Sequence, residues 1–150
     1  MRFVNVDYPG GQIWDDHRDV NDNLRKRCPD MDQAAAALIR DLKRRGLLDE
    51  TLVVWGGEFG RTPVSESGSG RDHNPYGYTM FVAGGGFKGG TIHGNWEGLA
   101  PEVRDNGDVP GSNDYRNVLG DIVIGRLGLS AADMTTVFPG HRFQPLGIMK

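Results

Sequence analysis

The stretch LIRDLKRRGLLDETLVVWGGEFGRTP, residues 38–63, decides the fold. Its first part closes a helix. Met31, Ala34, Ala35, Leu38, Ile39 and Leu42 recur at helical spacing, so the sequence predicts an amphipathic helix over Asp30–Arg45. Asp30 or Asp32 suits its start, Lys43 to Arg45 suit its negative end, and Gly46 stops it. Leu52 to Trp55 is then an unbroken apolar run, the mark of a strand covered on both faces, as in a parallel sheet. The strand ends in two glycines, and the next side chain is the carboxylate of Glu58.

Working outward, Arg2–Tyr8 alternates apolar and polar residues and reads as a strand stopped by Pro9-Gly10-Gly11. The chain begins inside this strand with no lead-in, which points to sequence upstream of it. Gly56–Tyr76 reads as a long polar loop, a type that is usually functional or mobile. Tyr78–Ala83 is a further strand, TIHG (residues 91–94) a short fourth one, and Asp114–Leu127 a second helix with Tyr115, Val118, Leu119, Ile122 and Val123 inward. The tail reads as coil that packs Val137, Phe138 and Leu146 down. Strand–helix–strand order makes this one α/β domain over residues 1–150.

Bulk properties exclude several classes. A length of 150 residues supports a real core. A net charge of −3 does not mark a nucleic-acid binder. No run approaches the ~20 apolar residues of a membrane span, and no signal peptide is visible. The single cysteine, Cys28, excludes an internal disulfide, and no motif frames it as a nucleophile. GGGFKGGT imitates a phosphate loop, but Gly89 follows Lys88 and no helix follows, so the turn reads as structural.

The chemistry-bearing residues cluster at strand ends. Asp15, Asp16 and His17 follow the first expected strand, Glu58 the second, and Asp72 and His73 precede the third. Sites in open parallel sheets form outside the carboxyl ends of strands. Imidazole with carboxylate is the ligand mix for Zn²⁺, Mn²⁺ or Fe²⁺. Taken alone, a loop Asp next to a His is usually a cap or a surface pair. Asp16 and Asp19 read as solvent-facing, His93 and His141 as structural or surface residues. Arg61 and Arg71 flank the Glu58 loop, fitted either to an anion or to salt bridges with Glu58, Glu66 or Asp72.

WDDH, the quoted stretch, GRDHNP, AGGGFKGGTIHG, DYRNVLGDIV and VFPG together closely resemble the domain of unknown function 1501 family, which is related to the alkaline phosphatase and sulfatase superfamily. The resemblance covers about Phe3 to Gly147. It implies an alkaline phosphatase-like layered fold with a mostly parallel sheet, present here as the C-terminal portion without its nucleophile half. It implies a metal-dependent hydrolase of phosphoric or sulfuric esters, with exported full-length relatives and a small anionic ester as substrate. By that pattern Asp15, His17 and His73 make one metal site nearly whole and Glu58 is what remains of a second, for Zn, Mn, Ca or Mg, while Phe59 stands where a His or Asn ligand would be. Arg61 and Arg71 would bind the substrate anion. No nucleic acid and no membrane partner is implied, and an uncovered sheet edge would favour self-association. The alternatives are a non-catalytic anion- or glycan-binding module and an inert fragment of the same fold.

Overall fold

The computed structural model describes residues 3–8, 13–65 and 68–150. It is a mixed α/β structure of three α-helices and two small antiparallel ribbons among the described residues. The order is α1 (Val20–Arg44), β1 (Leu52–Trp55), β2 (Gly60–Arg61), β3 (His73–Asn74), β4 (Phe81–Gly84), α2 (Tyr115–Leu127) and α3 (Met134–Val137), with short 3₁₀ turns at Pro101–Val103 and Ala131–Asp133. No helix among the described residues is long and apolar enough to cross a membrane.

The strands pair differently from the parallel arrangement that the apolar run suggests. β1 pairs antiparallel with β4, Leu52 opposite Gly84 and Trp55 opposite Phe81. The physical reason lies in the connection. A parallel neighbour needs a crossover, usually a helix, and among the described residues between Trp55 and Phe81 the chain contains only the β2–β3 ribbon. It therefore returns alongside the strand it left. Residues 3–8 form no strand, Arg2 and the Pro9–Gly11 turn lie outside the described residues, and residues 91–94 form no strand either.

α1 begins ten residues before Asp30 and runs through Pro29. An interior proline costs a helix about 3 kcal/mol, so tertiary contacts must hold its first turns. They do: Arg27 and Asn23 both reach back to Asp16, and the Val20 amide donates to the Ser69 carbonyl at 3.3 Å. The apolar face expected on this helix does not pack on the β1 strand. No residue of α1 is buried, and Leu38 is 48% exposed. A ribbon of two four-residue strands presents too little surface to cover that face.

The best-packed region is C-terminal. Ile122 of α2, Met134 and Ile148 are its buried apolar residues. The inward face of α2 is Asn117, Gly120, Asp121 and Ile122, whereas Tyr115 is 48% exposed. Two polar residues turn inward because the tail has no ladder of its own. Asn117 Oδ1 accepts from the Gln144 amide and Asp121 Oδ2 from the Leu146 and Ile148 amides. Buried amides require such partners. Val137, expected to pack inward, ends α3 at 40% exposure, and Met134 takes the inward place. Lys88 donates to the Gly147 carbonyl at 2.6 Å, so the glycine turn is a tail clasp.

Candidate metal centre

The long polar loop Gly56–Tyr76, of a type that is usually functional, carries the scaffold of the site in a short ribbon. β2 and β3 pair with Gly60 opposite Asn74 and Arg61 opposite His73. Asn74 is almost fully buried and secures the ribbon, donating to the Val109 carbonyl and accepting from the Tyr76 amide. Arg61 and His73 are thus held side by side across two strands.

The loop before α1 lies against this ribbon. The approach is made at Gly70, where a Cβ would stand 1.8 Å from the His17 carbonyl oxygen. The junction is bonded on both sides: Ser69 Oγ accepts from the Asp19 amide and donates to Asp19 Oδ1. Arg61 donates to the carbonyls of Trp14 (2.9 Å) and Arg71 (3.1 Å). Asp19 is exposed, as expected, in a left-handed conformation that aspartate tolerates. Asp16 is not. It is 5% exposed and takes a two-point contact from Arg27 at 2.7 and 2.8 Å. A buried carboxylate needs compensating partners, and Arg27, about two turns into α1, supplies the cation.

This packing brings Asp15, His17 and His73 together, one donor atom from each within 4.8 Å of the others. Asp15 Oδ1 is the focus. His73 Nε2 lies 2.7 Å from it, Arg61 Nη2 2.8 Å and His17 Nε2 3.2 Å. His17 Nδ1 faces Asp72 Oδ1 at 3.8 Å. Two Nε2 atoms and one carboxylate are a common transition-metal donor set, and their spacing is of the order of donors around one ion. The residues present therefore fit a divalent ion.

Glu58 does not join them. It is exposed and outside the three-residue group. The backbone bends at Glu58 itself, and Phe59, the next residue, faces the site. Phe59 stacks on the His73 ring, centroids 3.8 Å apart and planes 19° from parallel, and Arg61 lies 5.4 Å from its centroid. Sequence reasoning saw Phe59 only as a missing ligand. The signal that could have found its role is its position immediately before the ribbon residue pair that carries Arg61. Arg71 donates to the Gly70 carbonyl at 2.7 Å. His141 is structural, its Nε2 2.8 Å from Asn117 Oδ1, and His93 Nε2 lies 3.0 Å from the Lys88 carbonyl.

Hydrogen bonds from His73 and then Arg61 hold the Asp15 carboxyl down at about 2. Arg116 does the same for Asp114, the N-cap of α2, also to about 2. A folded-state value below the ordinary 3.8 means that the stabilisation is complete above that value and disappears as pH falls through about 2. The expected result is a thermal midpoint that falls steeply between those two pH values. Asp15→Asn combined with Asp114→Asn should flatten that slope in calorimetric scans.

Residues 1–123 match the family model described as Protein of unknown function (DUF1501). The chain belongs to the DUF1501 family. That match contains the whole Asp15–His17–His73 cluster, both ribbons and most of α2 of this DUF1501 chain. No curated protein and no solved structure matches it.

Proposed function

We propose that this DUF1501 chain binds one divalent metal ion through Asp15, His17 and His73, and is the metal-holding part of a phosphoric- or sulfuric-ester hydrolase. The observation that carries the reading is the convergence of two imidazole nitrogens and one carboxylate oxygen within 4.8 Å. The kinship with the alkaline phosphatase and sulfatase superfamily, and its layered parallel sheet, belong to this proposal. They rest on the sequence motifs, not on the two antiparallel ribbons.

A divalent ion at this place would polarise an ester oxygen as a Lewis acid. The chain's own residues do the rest. Asp15 brings a carboxylate that stays ionised down to about pH 2. Asp72 lies 3.8 Å from His17 Nδ1, and the Phe59 ring braces His73 from one side. Arg61 places a guanidinium beside the cluster, suited to a small oxyanion, and Arg71, proposed with it, is bonded to the Gly70 carbonyl nearby in the chain. A non-catalytic anion-binding role is favoured by one observation: Glu58 and Phe59 add no further ligand.

Calorimetric titration with Zn²⁺ or Mn²⁺ tests the metal reading. One ion per chain in the wild type, lost in His73→Ala, is the expected result, and a wild type that binds neither overturns it. The hydrolase reading predicts slow, metal-dependent turnover of aryl phosphate or aryl sulfate, slow because no nucleophile is framed here. Metal binding without any turnover, by this chain or a longer one, would leave the anion-binding role in its place.

A further inference from the structure

The oxygen at the centre of the cluster is already crowded. A carboxylate oxygen offers about two lone-pair sites, yet Asp15 Oδ1 faces His73 Nε2, Arg61 Nη2 and His17 Nε2, all at 3.2 Å or less. One of these partners is a permanent cation. Arg61 is also tethered independently of Asp15, through the carbonyls of Trp14 and Arg71. Its side chain is 24% exposed, so its charge is only partly screened.

An ion held by the two imidazoles and Oδ1 would compete with the guanidinium for the same oxygen and would be repelled by its charge. Giving up Asp15 would leave Arg61 its two carbonyl contacts, so its head would stay beside the cluster with a donor free. Resting on the metal reading above, we propose that Arg61 is a displaceable counterion. It neutralises Asp15 until an ion loads, then turns the freed N–H to an oxyanion at that ion, so that cation and anion binding reinforce each other. Linkage makes this reciprocal: the anion tightens the cation by the factor by which the cation tightens the anion.

Co²⁺ titrations followed by visible absorption, with and without inorganic sulfate, test this on wild type, Arg61→Gln and Arg61→Lys, with circular dichroism as the check on folding. Removing the like charge should tighten Co²⁺ by about tenfold or more in Arg61→Gln. Sulfate should tighten Co²⁺ about fivefold or more in the wild type and leave Arg61→Gln unchanged. Arg61→Lys keeps the charge without the planar fork, so its Co²⁺ affinity should stay near wild type while the sulfate effect shrinks. Co²⁺ binding weakened equally in both variants would show a mere loop clamp and overturn the proposal. So would a sulfate effect that survives in Arg61→Gln or, if that variant unfolds, in Arg61→Lys. Wild type binding Co²⁺ with Arg61→Gln no tighter ends this inference alone. Absence of Co²⁺ binding in both ends the metal reading and the inference with it.

Discussion

Asp15→Asn is expected to abolish tight binding of divalent ions while the fold survives. The substitution keeps the side chain's shape and an oxygen that can still accept from Arg61 Nη2, now 2.8 Å away. It removes the negative charge and the only carboxylate among the three converging donors. Loss of an outer-shell partner typically costs 10–100-fold in metal affinity, so loss of this inner donor should cost on the order of 100-fold or more. The thermal midpoint should fall but folding should persist, because the charged hydrogen bonds to Asp15 become neutral ones. Calorimetric titration with Zn²⁺ and a thermal melt would give both quantities. An unchanged affinity would mean that the ion, if any binds, is held elsewhere.

Gly70→Ala is expected to damage both stability and the site. The new Cβ would fall 1.8 Å from the His17 carbonyl oxygen, 2.2 Å from its carbon and 2.8 Å from the Arg18 nitrogen. All three are backbone atoms, so no rotamer change relieves the overlap. The Gly70 loop and the Asp15–His17 loop must separate, and overpacking of this kind typically costs about 1–3 kcal/mol or more. Separation would also draw His17 from His73, whose rings are 5.0 Å apart. Metal affinity should therefore fall with the thermal midpoint. Gly57→Ala is the matched control, because its nearest neighbour is the Phe59 carbonyl oxygen at 3.9 Å. Equal melting points for the two variants would show that the loops are not in contact at Gly70.

Local pattern made several features legible. The helix end at Gly46, the strand Leu52–Trp55 and the helix Tyr115–Leu127 capped by Asp114 all follow from periodicity and capping chemistry. Asp15, His17 and His73 stood out as residue types that ligate metals in strand-end positions. Their strand-end placement and the family resemblance together predicted that they converge, as they do; what short-range pattern did not show is the means, the close approach of the His17 backbone to Gly70.

The sequence by itself determined which segments can be helix or strand and which side chains carry chemistry, because propensity, capping and ligand type are properties of short stretches. Only the tertiary structure decided the antiparallel return of β4 onto β1, the extension of α1 back through Pro29, and the burial of Asp16 and Asp121. The physical reason is common to all three. A strand edge, a helix's first turn and a buried carboxylate each need partners far along the chain: Phe81 for Trp55, Asp16 and Ser69 for the start of α1, and the Leu146 and Ile148 amides for Asp121.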